Sequence, residues 1–319
     1  MKKLALALAA ALLAATPAAA WNARGHMIVA AKAWQHLTPQ SRTQVARLLR
    51  HNPLYADWTQ GIAPADRARV AFIRAATWPD IIKGQGAGYT NDRITGPDAR
   101  RNTGYDDCNR HGYWHYKDLP FSPDGTALRL APEPNAETQI DLFAATLADA
   151  SAGDEVKAYD LVWLLHLVGD VHQPLHATAR YIAADPDGDG GGNQVCLIGD
   201  CRFNNLHSFW DGALGSTQSL PSVTRAAAAL PNPNAARANI LTPSVWFSES
   251  LALARAQVYR SPIGNGLGPY TLTQAYRTNA GRVATARAAL AGVRLANVIN
   301  ASNLQVRGDA VQQRTCPAP

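Results

Sequence analysis

Several things that this 319-residue chain lacks narrow its class before any motif is read. It has four cysteines and no CxxC pair, which argues against a Cys/His zinc site. Strand-like alternation is scarce and confined to short stretches near 113–118 and 194–198, which argues against a sandwich or barrel. There is no internal repeat, and no linker long enough to divide the chain. The apolar run inside MKKLALALAAALLAATPAAA is too short and Ala-rich to read as a membrane span. The formal charge of +6, which includes Lys2 and Lys3, is compatible with a polyanionic substrate and equally with an ordinary exported protein.

What is present begins with a leader. Residues 1–20 carry the basic start, the apolar run and the small-residue end (Ala18-Ala19-Ala20) of a bacterial-type signal peptide, predicting cleavage after Ala20 and a periplasmic or secreted protein. Cleavage frees the α-amine of Trp21, which titrates near pH ~8 and can chelate a metal together with the Trp21 carbonyl. In an exported chain the cysteines favour disulfides. Cys196 and Cys201, five apart, are expected to pair, leaving Cys108 with Cys316, although four cysteines formally allow three connectivities.

The remaining residues, 21–319, read as one mostly α-helical domain with few short strands and long loops. Helical periodicity runs over 25–36, from a Thr38 N-cap and Pro39 to about 50, and over 63–76, 136–151, 155–173, 205–213, 222–230, 243–259 and 270–298. Residues 84–112 and the Asp/Gly-rich 185–193 read as loops.

The strongest internal signal is HLVGDVHQPLH, residues 166–176. His166 and Asp170 are i and i+4 and share a helix face, and Pro174 ends the helix so that His176 can turn back toward them. NLHSFWD supplies a second such pair, His207 and Asp211. Nitrogen and carboxylate ligands at this spacing suit borderline metal ions, whereas one isolated pair is more often a hydrogen bond on a helix face.

With WNARGH (21–26), Trp78-Pro79-Asp80, Trp114-His115-Tyr116, GGN (191–193) and NLHSFWD in that order, the chain resembles the S1/P1 nuclease family, which is related to zinc phospholipase C. The resemblance implies three zinc ions. Asp80, His115, His166 and Asp170 would hold one, His176, His207 and Asp211 a second, and Trp21, His26 and again Asp170 the third. It also implies Asp118 as the carboxylate that orients the attacking water and Lys83, where many members carry Arg, as the cation that neutralises the transition state. Tyr116 would offer a base-stacking face, and Asn193 would help to shape the substrate wall. The implied activity is endonucleolytic hydrolysis of single-stranded DNA and RNA to 5′-phosphorylated products, with 3′-nucleotidase action. Nucleic acids and nucleotides would be the partners, with no stable protein partner and no membrane. The alternative is a phospholipase C, whose members carry Glu where Asp211 stands here. A metal-binding module without catalysis would leave Asp118 and Lys83 as coincidences.

Four histidines (36, 51, 111 and 172) stay outside this set. Asp185, Asp187 and Asp189 mimic the first half of a Ca²⁺ loop and suggest a structural Ca²⁺ or Mg²⁺ at 185–193. The twelfth position, however, is Cys196 instead of a bidentate Glu.

Overall fold

The computed structural model describes residues 21–84, 88–198, 204–312 and 316. The expected leader, residues 1–20, and Cys201, and with it the expected Cys196–Cys201 pairing, lie outside the described residues.

Among the described residues there are twelve α-helices. They are α1 (Ala23–His36), α2 (Pro39–Leu48), α3 (Tyr55–Thr59), α4 (Arg67–Ala75), α5 (Trp78–Ile81), α6 (Ala136–Ala148), α7 (Asp154–Asp170), α8 (Leu206–Asp211), α9 (Leu220–Ala229), α10 (Ala235–Ala238), α11 (Pro243–Leu253) and α12 (Gln274–Ala301). None of these helices is long and apolar enough to cross a membrane. Helix starts follow local chemistry. Thr38 accepts the Ser41 N–H with Pro39 in the first turn of α2, as expected from sequence, and Asn135 and Thr138 form a reciprocal capping box on α6. The run expected over 243–259 is α11 continued by a π-helical turn, Ala254–Val258.

Two expectations are corrected. The strand near 113–118 is instead a 3-10 turn, Gly112–His115, because His111 enters it in the left-handed region and extended backbone begins only at Tyr116. The strand near 194–198 is reduced to isolated bridges, Cys196 to Asn205 and Leu197 to Tyr270. The regular pairing is short and parallel, β1 (Pro120–Phe121) on β2 (Ala179–Arg180). Helices α3, α5 and α10 escaped the sequence reading because four or five residues are too few to show a period.

Helix α7 is buried on nearly every side, so its apolar residues face several neighbours instead of forming one stripe, and it occupies the centre of the core. Helices α1, α2, α5, α6 and α12 pack around it. The crossing of α1 on α12 depends on Gly292. A Cβ there would lie 2.6 Å from Lys32 Cβ and 3.0 Å from the Val29 carbonyl. A smaller apolar cluster, including Leu175, Val195, Leu206, Trp210 and Tyr276, supports the 174–211 side.

The loop expected at 84–112 is anchored by His111, which is fully buried. Its Nε2 meets Asp107 Oδ2 at 2.8 Å, its Nδ1 meets Asp92 Oδ2 at 2.7 Å, and its ring stacks on Trp114 at 3.5 Å. Burial opposes charging the ring, but the hydrogen bonds and charge of Asp107 and Asp92 outweigh it and raise the His111 pKa. The same loop is tied to the C-terminal tail by the Cys108–Cys316 disulfide, as the cysteine reading expected. Asp154 at the start of α7 holds that tail by accepting the N–H groups of Arg307, Gly308 and Asp309 at 2.7–2.8 Å.

Gly292→Ala is expected to destabilise by about 1–3 kcal/mol through overpacking, despite the roughly 1 kcal/mol helix-propensity gain. Gly281→Ala on the same helix, where a Cβ meets nothing within 4 Å, should instead stabilise. Urea midpoints that shift in the same direction for both variants would refute this account of the α1–α12 crossing. For His111→Gln the expected loss is on the order of 3 kcal/mol, because fully buried Asp107 and partly buried Asp92 lose their cation. A histidine pKa raised on folding stabilises fully below about pH 6.5 and ceases to as pH rises through the folded value. The His111→Gln deficit should therefore be larger near pH ~6 than near pH ~9, and a pH-independent deficit would rule out a buried imidazolium.

Candidate metal centre

Six chain segments bring the sequence-predicted ligands together. Helix α7 carries His166 and Asp170 one turn apart at its C-terminal end. The 3-10 turn Pro174–Ala177 brings His176 back beside them, the turn Gly112–His115 delivers His115, and α5 delivers Asp80. Helix α8, capped by the Asn205 side chain on Ser208 N–H, presents His207 and Asp211. Helix α1 presents His26 from its first turn, its entry held by Asn22 N–H donating to the Asp211 carbonyl at 3.1 Å. Gly169 lets α1 approach α7, since a Cβ there would sit 2.9 Å from His26 Nδ1.

Ligand atoms gather in three groups, each within 4.8 Å: His26, His166 and Asp170; Asp80, His115 and His166; and His176, His207 and Asp211. Asp170 reaches two of the groups. Its Oδ1 lies 3.2 Å from His26 Nε2, and its Oδ2 lies 3.1 Å from His115 Nδ1 and 3.4 Å from His166 Nε2. Asp80 Oδ1 lies 3.6 Å from His166 Nε2 and accepts a hydrogen bond from Lys83 Nζ at 2.8 Å.

Whether these residues suit a cation is decided by where the protons are. His176 Nδ1 faces the His115 carbonyl at 2.9 Å, and His207 Nδ1 faces the Gly191 carbonyl at 2.8 Å. A carbonyl only accepts, so both Nδ1 atoms carry the proton and the neutral rings present bare Nε2 lone pairs. Those two Nε2 atoms are 2.9 Å apart. His166 is aimed the same way, with Nδ1 on the Ala76 carbonyl at 2.7 Å. His26 Nε2 and Asp170 Oδ1 are close but misaligned, and both lack a hydrogen-bond partner. Buried lone pairs facing one another with no proton between them are the donor set a metal ion requires.

The electrostatics agree. Burial first, with the charge of Lys83 adding to it in every case, lowers the pKa of all five histidines, to about 4 for His166 and His207. The rings are therefore neutral at pH 7. Burial first, then neighbouring carboxylates, pushes Asp170 and Asp211 far above the usual carboxylate range, a pressure that bound cations would relieve.

Trp21 is fully buried, with its ring beside Gly25 and Gly169. Asp80 is the most exposed of the side chains in the three groups at 17 %, while Tyr116 is 40 % exposed and Asp118 half-buried. Asp118 lies on the extended segment after His115, which runs beside the segment after His176 through Lys117 N–H on the His176 carbonyl and Ala179 N–H on the Leu119 carbonyl. Burial, then the charge of Asp189, raises its carboxyl to about 7.

The Asn193 amide donates to Gly190 O at 2.7 Å and staples the turn, while Gly191 contributes the carbonyl that aims His207. Gly191 has positive φ, and a Cβ there would lie 2.3 Å from the Leu175 carbonyl. The carboxylates of 185–193 do not converge on one point. Asp187 pairs with Arg129, and Asp189 turns inward to accept from Arg180 N–H, Gly192 N–H and Tyr259 OH.

The sequence reading, which set His172 aside as packing beside the ligand set, missed the other residues behind the candidate ligands. Gln173 is buried against Asp211. His172 accepts from Arg294, and its carbonyl accepts from Arg287. Glu249 neutralises both arginines and is held at about 2 by their hydrogen bonds, which outweigh its burial. The available signal was the seven-residue spacing of Arg287 and Arg294, which puts both on one face of α12.

The S1/P1 Nuclease family profile matches residues 21–303. Nuclease P1 of Penicillium citrinum is 25% identical over 198 residues, covering 60% of this chain and 57% of that protein. Endonuclease 4 of Arabidopsis thaliana is 30% identical over 157 residues, 44% of this chain and 49% of its own length. Endonuclease 3 of the same plant is 30% identical over 158 residues, 44% and 50% respectively. The chain thus spans about half the length of the curated relatives it matches. With a profile match over most of the chain and the ligand residues inside it, the protein belongs to the S1/P1 nuclease family.

Proposed function

We propose that this protein is a zinc-dependent endonuclease that cuts single-stranded DNA and RNA to 5′-phosphorylated products and removes phosphate from 3′-nucleotides. The observation that carries the reading is the pair of imidazole lone pairs, His176 and His207, 2.9 Å apart beside buried Asp211. Three zinc ions would be held, by Asp80, His115, His166 and Asp170, by His176, His207 and Asp211, and by the Trp21 amine and carbonyl with His26 and Asp170. Bound zinc supplies positive charge to the phosphoryl oxygens and acidifies a water.

The chain's own residues do the rest. Asp118, with a carboxyl near 7, orients the attacking water and accepts its proton around neutral pH. Lys83, paired to Asp80 and little exposed, places a cation where charge builds on the phosphoryl group. Tyr116 offers a base an exposed aromatic face that suits any base. The ligands are recessed, and a flexible single strand reaches them more readily than a stiff duplex. Asp211, where the lipases carry Glu, favours a nucleic acid over a phospholipid substrate. The leader and the Cys108–Cys316 disulfide support export, with cleavage after Ala20 completing the ligand set.

Processed protein should release 5′-nucleotides from single-stranded DNA, lose that activity to a chelator and regain it with zinc. Diacylglycerol release from phosphatidylcholine with DNA left intact would replace the nuclease reading by the lipase one. Asp170→Asn is expected to lose metal and at least ~10³-fold in kcat, since it strips shared charge from two ions; near-normal turnover with full zinc would contradict the assignment. A form retaining residues before Trp21 should be weakly active at best, and full activity would remove the amine from the ligand set.

A further inference from the structure

We propose that Gln173 is a positioning residue that decides which oxygen Asp211 turns toward the His176–His207 pair; this rests on the metal reading above. Gln173 is fully buried in the turn between α7 and Pro174–Ala177. The following proline favours the extended backbone it adopts, φ −82°, ψ 117°. Its Oε1 accepts the Leu175 N–H at 2.6 Å. A backbone N–H can only donate, so the two ends of the amide are unambiguous. Nε2 must then be the atom 2.7 Å from Asp211 Oδ1, and it donates there.

The consequence falls on Asp211. A carboxylate rotates broadly about its last torsion unless something holds one oxygen. Here Gln173 holds Oδ1, 3.9 Å from His176 Nε2, and leaves Oδ2 facing His207 Nε2 at 3.6 Å. The main chain of Asp211 is held as well, its carbonyl accepting Asn22 N–H at the entry to α1. Asp211 is therefore pinned at both ends, by the turn that carries His176 and by the segment that carries His26. An ionised Glu at 173 could still accept from Leu175 but has no proton to give Asp211.

Zinc stoichiometry and retention against a chromophoric chelator test this in full-length processed protein. Gln173→Glu keeps the Leu175 acceptor and loses the donor, while Gln173→Met loses both. Each should lack one zinc ion, or hold it about 10–100-fold less tightly, with the other ions unchanged. The deficit should match that of His207→Ala, and it should appear in Gln173→Met, which adds no charge, as well as in Gln173→Glu. Wild-type zinc content and affinity in Gln173→Glu would overturn the proposal. So would equal loosening of every ion with a lowered metal-free melting temperature, which marks a merely structural role. Wild-type protein that binds no zinc would overturn the metal reading itself.

Discussion

His176 and His207 face each other Nε2 to Nε2 across 2.9 Å, and neither nitrogen carries a proton because each Nδ1 is spent on a main-chain carbonyl. Two lone pairs at that distance repel, and in a dry interior nothing screens them. The same tension runs through the rest of the centre, where Asp170 and Asp211 are buried carboxylates beside five neutral imidazoles. Among the described residues Lys83 is the cation paired to a ligand side chain, and its partner is Asp80 at the mouth. Such an arrangement persists only if the surrounding fold over-determines it, and it is relieved by cations.

The fold supplies that constraint through main-chain atoms from separate places. Ala76 O, His115 O and Gly191 O each aim one ring. Two glycines allow the approach: Gly169 admits His26, and Gly191 occupies a conformation and a space that a side chain would not tolerate. Behind the centre lie Trp78, Tyr105, Tyr159 and Trp163, which contact one another edge to face and leave little room for the ligands to relax. Gln173 adds a proton donor at the point where the α7 turn meets α8.

Much of this was legible in the chain. The long helices, the two His-x-x-x-Asp pairs and the Cys108–Cys316 bridge follow from periodicity, i/i+4 geometry and cysteine spacing. What was not legible is instructive. The strand expected at 113–118 failed because His111 is bound between two aspartates from the preceding loop and sets a left-handed start, a constraint no local window contains. His111 and His172 looked surplus to the ligand set, yet one holds the loop beside His115 and the other sits against Arg294. The Asp-rich stretch 185–193 resembled a cation loop because spacing does not reveal that Asp189 points inward toward Arg180 and Tyr259.

By itself the sequence determined which residue types would face one another within a helix turn, where α7 ends, and that the interior would be helical. These depend on neighbours three or four positions away, or on the fixed φ of a proline. Only the tertiary structure decided that His26 and His115 converge on Asp170 and Asp80 on His166, which nitrogen of His166, His176 and His207 is bare, and that Gln173 grips Asp211. Those outcomes depend on carbonyls and carboxylates tens of residues distant in the chain, brought within 3 Å or so only once α1, α5, α7 and α8 have packed.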